Sequence, residues 1–294
     1  MSLNLKPSTN IRYPPFLNGV YFDEYFSKFW EKQKFALKNN AYFLDIFWCN
    51  MFQNNGGNPN IPQLQQYVRD ICQSALQNKK FVFTICQWDD NICMQKPSNL
   101  IVYSMGTTVD IPLPLIVEDN TSRLESITKL SYKEKDILCS FVGSNTHSVR
   151  HNIYNMLKNT EGFVFHLKNG WDISVNENLV DLFINTTQRS KFALAPRGYG
   201  PSSFRFFEII QMNVIPIYVH DGINALPFQD IIDYNKFCIV LHIENIHTLP
   251  NILNNINEKT YNEMLKEMNK IKPWFTMEGT CEYIKKDIMK RLQS

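Results

Sequence analysis

The chain has 294 residues, 44% of them apolar and 20% charged, with a formal net charge of +2. That bounds it to one large or two medium soluble domains with ample material for a core, and so small a charge without any dense Lys/Arg run excludes a general nucleic-acid binder. Seven scattered cysteines (Cys49, Cys72, Cys86, Cys93, Cys139, Cys238 and Cys281) fall mostly in apolar runs, without C-x-x-C or His/Cys ligand spacing. Reduced core thiols are therefore expected rather than a disulfide framework or a zinc site.

The chain opens on MSLNLKPSTNIRYPPF, a Pro/Asn-rich arm without the apolar stretch of a signal peptide, and no run reaches the roughly 18 apolar residues of a membrane span. A soluble, cytoplasmic protein of bacterial or viral type is the expectation. Aromatic spacing at Tyr25, Phe26, Phe29 and Trp30 predicts a helix over 24–37. Residues 42–47 read as a buried strand, 54–60 (NNGGNPN) as a loop, and 61–76 as an amphipathic helix opened by Pro62. With strands at 80–86 and 100–103, the part before about residue 118 alternates like a first Rossmann-like domain. The polar stretch 118–136 is the linker candidate. A second alternation follows: strand 137–142, helix 149–157, strand 162–166, helix 176–185, and later a strand at 237–241. Helices at 259–271 and 282–292, separated by Pro273 and Gly279, close the chain, and there is no internal repeat.

Residues 192–228, FALAPRGYGPSSFRFFEIIQMNVIPIYVHDGINALPF, carry the chemistry. An apolar strand (192–195) runs into a Pro/Gly loop, Ser202 and Ser203 open an apolar-periodic helix, and a strand at 214–218 leads to His220, Asp221 and Gly222. A strand–loop–helix junction presents free backbone N–H groups and the positive helix end to an anion. Gly198 and Gly200 let the main chain approach it, and Arg197 and Arg205 can make paired contacts with phosphate oxygens. Glu208, set among Phe206, Phe207, Ile209 and Ile210, needs a partner, and ribose hydroxyls beside the phosphates would supply one. The residues describe a nucleoside-diphosphate site.

The pattern PRG…SSFRFFE…IPIYVHDG…LPF resembles the C-terminal signature of the exostosin-like glycosyltransferases, family 47-like. DIPLPLI (110–116), LCSFVGSNTHSVRHNIY (138–154) and FVFTICQWDDN (81–91) are similar to further family segments, giving a likeness over roughly 80–235 that is dense from 138 to 228. The resemblance implies an α/β fold of the GT-B kind, two Rossmann-like domains facing across a cleft. Residues 1–124 would form the acceptor domain, 125–274 the nucleotide-sugar domain, and the C-terminal helix of 275–294 would cross back to the first, with Trp274 and Phe275 marking the crossing. It also implies inverting transfer from a UDP-sugar (xylose, galactose, glucuronate or similar) to a glycan hydroxyl, with no cofactor. Many eukaryotic members are membrane-anchored, and this chain is expected to depart from them.

Each candidate residue has a plainer reading beside the functional one. Arg197 and Arg205 could sit in ordinary ion pairs, Ser203 could be a helix cap only, and Glu208 could pair with a nearby basic residue. Gly143 and Arg150 form a second, weaker phosphate motif whose alternative is a tight turn and an exposed arginine. His147 and His151 have a possible metal spacing but no third ligand, so solvated histidines are expected. Asp221, on the loop after a parallel strand, matches an acidic family position and is either a donor-sugar contact or a turn residue. For the general base, Asp89 or Asp90 at the end of the 80–86 strand is the candidate, against two turn carboxylates; Asp45 and Asp110 are reserves. No D-x-D occurs, so metal-independent stabilisation of the leaving diphosphate is expected. A nucleotide-binding partner subunit without turnover is the rival from another class; an epimerase would need a G-x-G-x-x-G that is absent.

Overall fold

The computed structural model describes residues 3–9, 19–106, 110–116, 118, 123–124, 126–170 and 177–293. The chain divides into two compact units: Met1–Glu118 with Thr276–Ser294, and Asp119–Phe275. Both are parallel α/β sheets, the α/β architecture read from the sequence.

The sheet of the first unit contains β1 (Ala41–Phe43), β2 (Phe81–Cys86), β3 (Leu100–Ser104) and β4 (Ile111–Pro112), parallel and in the order β1-β2-β3-β4. Both faces are covered, so β2 reads as an almost unbroken apolar run. On one face Phe26 and Trp30 of α1 (Phe22–Glu31) pack on Phe43 and Phe83, with Trp30 and Phe83 at 5.1 Å between centroids. The other face buries Leu44, Ile46, Trp48, Phe52, Leu64 and Val68, from the β1 loop, α3 (Trp48–Asn54) and α4 (Pro62–Gln77). Thr84, the one hydroxyl in β2, is satisfied by Trp48 Nε1 at 2.8 Å and by donating to the Leu44 carbonyl at 2.9 Å.

The helix expected over 24–37 is two helices, α1 and α2 (Phe35–Asn40), because the chain turns at Lys32 and Gln33. The strand expected over 42–47 stops at Phe43. Beyond it the side chain of Asp23, 1% exposed, accepts the Cys49 N–H at 3.3 Å and fixes the start of α3, a helix with no periodic signal of its own. The C-terminal helix is longer than expected, α10 (Met277–Arg291), and Gly279 lies inside its first turn, donating to the capping Thr276 hydroxyl at 3.0 Å. It is secured to β3 within this unit: Tyr103 donates to Asp287 at 2.6 Å, and Arg291 holds the same carboxylate.

The second unit carries β5 (Ile137–Asn145), β6 (Phe163–Asn169), β7 (Ser190–Pro196), β8 (Ile215–His220) and β9 (Ile239–His242), parallel and in the order β6-β5-β7-β8-β9. Its helices are α5 (Ser148–Leu157), α6 (Glu177–Gln188), α7 (Phe204–Gln211), α8 (Leu249–Asn254) and α9 (Glu258–Ile271). Residue 176, the expected start of α6, lies outside the described residues. The end of the supposed linker is not solvated. Lys135 is buried, donates to the carbonyls of Gln188 and Ser190 at 2.9 Å each, and has its pKa pushed down to about 8 by burial.

Strand order places the site. From β5 the chain first adds β6 on one side, then returns to add β7 on the other. Where an open parallel sheet reverses direction in this way, the loops leaving the two carboxyl ends diverge and leave a crevice for a ligand. Here those loops are 146–147 and 197–203. In the first unit the order runs one way through β1 to β4.

Candidate active site

At the switch point the β5–α5 turn and the β7–α7 loop are bound together by one side chain. Arg150, 9% exposed in the first turn of α5, donates through Nε to the Arg197 carbonyl at 2.9 Å and through Nη1 to the Ser144 carbonyl at 2.8 Å. Its Nη2 reaches the Pro196 carbonyl at 3.3 Å and the Ser203 hydroxyl at 3.4 Å, and the guanidinium lies over the Phe141 ring. The exposed arginine of the plain reading does not describe this residue. Burial, then the charge of Arg205, lowers its pKa to about 9. None of these partners is a carboxylate, so the charge lies under the two loops without a counter-ion among the described contacts.

The small residues around it have separate reasons. Gly143 lies inside β5 rather than at its end, and a Cβ there would meet Phe141 Cζ at 2.9 Å, so ring packing explains it. At Gly198 a Cβ would come within 3.3 Å of Arg150 Nη2 and 3.9 Å of Thr146 Oγ1, so a side chain there would press on the guanidinium by a few tenths of an ångström. Buried Ser202 closes the loop through its carbonyl, which accepts the Gly198 N–H at 3.4 Å. Ser203 stands at the N-cap of α7, but its side chain makes no capping bond and its hydroxyl instead accepts from Arg150 Nη2.

Both arginines expected on phosphate are matched by carboxylates. Arg197, 12% exposed, places Nη1 2.9 Å from each oxygen of Asp221 and Nη2 3.0 Å from the Tyr199 carbonyl. Burial alone would raise the Asp221 pKa, but hydrogen bonding and charge from Arg197 outweigh it and hold the group low. Arg205 stacks on Phe183, donates to the Val142 carbonyl at 2.8 Å and pairs with Glu208 Oε2 one turn along α7. Glu208 is half-buried rather than buried, and its immediate partner is the local ion pair.

Histidines rim the same strand ends. His147, His220 and His242 each accept a backbone N–H at Nδ1, from Val149, Gly222 and Glu244 at 3.3, 3.2 and 3.4 Å. The Nδ1 of His242 also lies 3.4 Å from the Glu244 carboxylate. The rings of His220 and His242 meet edge to face at 5.3 Å. Desolvation, then Arg197, lowers the His147 pKa; desolvation, then His242, lowers that of His220. His151 is exposed. Among the described residues no three His, Cys, Asp or Glu side chains are grouped to hold a metal ion, and all seven cysteines are free thiols.

Thr146 was missed by the sequence reading. Its Oγ1 is buried without a hydrogen-bond partner, and so is Arg197 Nε. The only sequence signal was a hydroxyl residue in the turn after a strand, which is common to many loops.

In the first unit Asp89 is half-buried at the carboxyl end of β2 and Asp90 is exposed. Burial, then the neighbouring Asp90, raises the Asp89 pKa to about 6. Gly106 abuts this turn: a Cβ there would lie 2.5 Å from the carbonyl oxygens of both Trp88 and Asp89. The reserve acids are engaged. Asp45 pairs with Lys6 and accepts from Ser27 at 2.9 Å, while Asp110 pairs with Lys96 at 3.2 Å and accepts the Val102 N–H at 2.8 Å. Among the described residues no helix is long and apolar enough to cross a membrane.

A buried guanidinium and a Gly/Ser loop lie at the switch point of an open parallel sheet, in a protein of the α/β class. The profile of the Exostosin GT47 domain matches residues 76–256, more than half of the chain. The chain belongs to that family. It is similar to an exostosin-1 homolog of Caenorhabditis elegans, 22% identical over 213 residues, covering 63% of this chain and 54% of that one. It is also similar to the probable arabinosyltransferase ARAD1 of Arabidopsis thaliana, 28% identical over 154 residues, covering 50% and 33%. The chain thus spans about half or less of the length of these curated relatives. Among solved structures it is similar to WaaG, described as a glycosyltransferase involved in lipopolysaccharide biosynthesis, at 11% identity and a TM-score of 0.40, covering 83% of this chain and 74% of that one. A likeness so distant carries no functional information.

Proposed function

We propose that the chain is an inverting glycosyltransferase that moves a sugar from a UDP-linked donor to a glycan hydroxyl without a metal ion. Family membership and relatives named as arabinosyl- and glucuronosyltransferases support the reaction class. The observation that carries the donor site is Arg150. A buried cation without a counter-ion is costly, and a diphosphate seated on the two loops supplies the missing negative charge. The start of α7 adds partial positive charge. Arg197 and Arg205 stand at the edge of this field, each held in place by its carboxylate. Arg205 engages Glu208 through Oε2, and Oε1 is the oxygen assigned to the ribose; Asp221 is assigned to the donor sugar.

As the glycosidic bond breaks, charge accumulates on the departing diphosphate, and these fixed groups stabilise it without reorganising. The sequence has no D-x-D, which agrees with a metal-free scheme. The acceptor hydroxyl must lose its proton as it attacks. Asp89 suits that step: with a pKa of about 6 it is ionised at neutral pH yet more basic than an ordinary carboxylate.

The test is a melting-temperature panel with UDP, GDP, ADP, uridine and UDP-sugars, followed by UDP release from UDP-xylose, UDP-galactose and UDP-glucuronate with and without EDTA. A ligand of the folded state raises the melting temperature. UDP should do so, and at least one donor should turn over in EDTA. No response to any nucleotide would remove the donor-site reading. UDP binding with no turnover on any donor would favour a non-catalytic partner subunit.

A further inference from the structure

We infer that Thr146 is a further ligand-binding residue, whose hydroxyl acts together with the Nε–H of Arg197 as a preset donor pair for the non-bridging oxygens of a diphosphate at the β5/β7 switch point. The inference rests on the diphosphate reading of that site given above.

Buried polar groups in folded proteins are almost always paired, because an unpaired one has given up water for nothing. Thr146 Oγ1 and Arg197 Nε are buried exceptions, and they occupy the two loops that flank the switch point. The loops are held against each other by Arg150, which bonds the carbonyls of Ser144 on one side and of Pro196 and Arg197 on the other. The hydroxyl lies opposite Gly198, where an added Cβ would be 3.9 Å from Oγ1 and 3.3 Å from Arg150 Nη2. Oγ1 and the buried guanidinium therefore border the same glycine. On the other side, Arg197 is near enough to His147, the neighbour of Thr146, to depress its pKa.

Local duties for the hydroxyl are already taken. The cap of α5 is the His147 ring, which accepts the Val149 N–H, so Thr146 is not needed there. Its own N–H is bound to the Ser144 carbonyl at 3.0 Å. Valine would fill the same volume without the orphan. What a threonine adds at this position is a hydroxyl aimed at a bare-backbone face beside an uncompensated cation, and the ligand that both groups suit is an oxyanion. For Arg197, Nη1 and Nη2 are committed to Asp221 and the Tyr199 carbonyl. Nε is buried and has no partner, so the side chain can give that N–H to a phosphate oxygen without leaving Asp221.

The experiment uses the whole chain and its Thr146→Val, Thr146→Ser and Arg197→Lys variants, with titrations of UDP, inorganic pyrophosphate and uridine, and the melting temperature of each protein without ligand. Thr146→Val should melt at or above the wild-type temperature, since it removes an unpaired buried group. It should weaken UDP and pyrophosphate roughly tenfold, the usual worth of a hydrogen bond to a charged group, and leave uridine unchanged. Thr146→Ser should bind within about twofold of wild type. Arg197→Lys keeps a cation but lacks Nε–H and should show a comparable loss. With both groups on one phosphate, the double variant should lose less than the product of the single losses. Wild-type affinity for UDP and pyrophosphate in Thr146→Val would overturn the inference and leave the diphosphate site standing. A lower melting temperature with undiminished UDP affinity would make the hydroxyl structural and also overturn it. If wild type binds neither UDP nor pyrophosphate, the diphosphate reading itself falls, and the role of Thr146 with it.

Discussion

Replacing Arg150 with Met tests the donor site most directly, because it removes charge and hydrogen bonds while keeping much of the volume. The carbonyls of Pro196 and Arg197 lose the guanidinium, and so does that of Ser144, which keeps the Thr146 N–H at 3.0 Å. Each unsatisfied buried acceptor costs about 1–3 kcal/mol. Against that, the fold no longer buries a guanidinium that has no carboxylate partner among the described residues, a penalty of several kcal/mol. The two effects oppose, so the ligand-free stability should change by no more than about 2 kcal/mol. Binding is different, because both effects then act in one direction. At about 5 Å and an effective dielectric constant of about 20, one unit charge on a diphosphate is worth about 3 kcal/mol to the buried cation. Losing it should raise the Kd for UDP by about two orders of magnitude. Titration calorimetry with UDP, inorganic pyrophosphate and uridine reads this out: the first two should weaken together and uridine should not. Arg150→Lys, which retains charge but cannot span three carbonyls, should fall between. An Arg150→Met protein that melts like wild type and binds UDP within threefold would refute the counter-ion argument.

Asp89→Asn should lower turnover by about 10²- to 10⁴-fold with UDP affinity unchanged. The wild-type rate should rise with pH through about 6, where Asp89 ionises; a flat profile between pH 5 and 7 would discard it as base. Gly106→Ala forces a Cβ onto the carbonyls of Trp88 and Asp89, at 2.5 Å from each. The turn must shift, costing about 1–3 kcal/mol by denaturant unfolding, with turnover lost along with it. The buried Asp23 has its pKa raised to about 7, by burial first, despite the Cys49 N–H, and with a further push from Glu24. Since the folded state holds this proton more tightly than the unfolded one, stability is present below about pH 4 and is lost as pH climbs toward 7. Asp23→Asn abolishes that titration, so its stability relative to wild type should improve between pH 5 and 8; a difference independent of pH would show that Asp23 does not titrate in the fold.

How much of this was legible in the sequence differs by element. The helix opened by Pro62 and the apolar run of β2 were read closely, since each depends on its own residues. The break at Lys32, the early stop of β1 and the start of α3 were not. They depend on partners such as Phe83 and Asp23 that lie far along the chain. Partner choice decided the site in the same way. Arg205 and Glu208 are one helical turn apart, so their pairing was an available reading, whereas Arg197 meets Asp221 only because β7 and β8 are neighbours in register.

The sequence by itself determined that a glycine- and serine-rich loop joins a buried strand to a helix near residue 200, and that this segment resembles an exostosin signature, because loop chemistry and strand periodicity are local properties. Only the tertiary structure decided that β5 lies between β6 and β7. That order creates the switch point, carries Arg150 beneath a loop 47 residues further on and leaves Thr146 and Arg197 with unpaired donors. Its cause is long-range strand pairing, a free energy spread over the whole sheet and written in no single stretch of the chain.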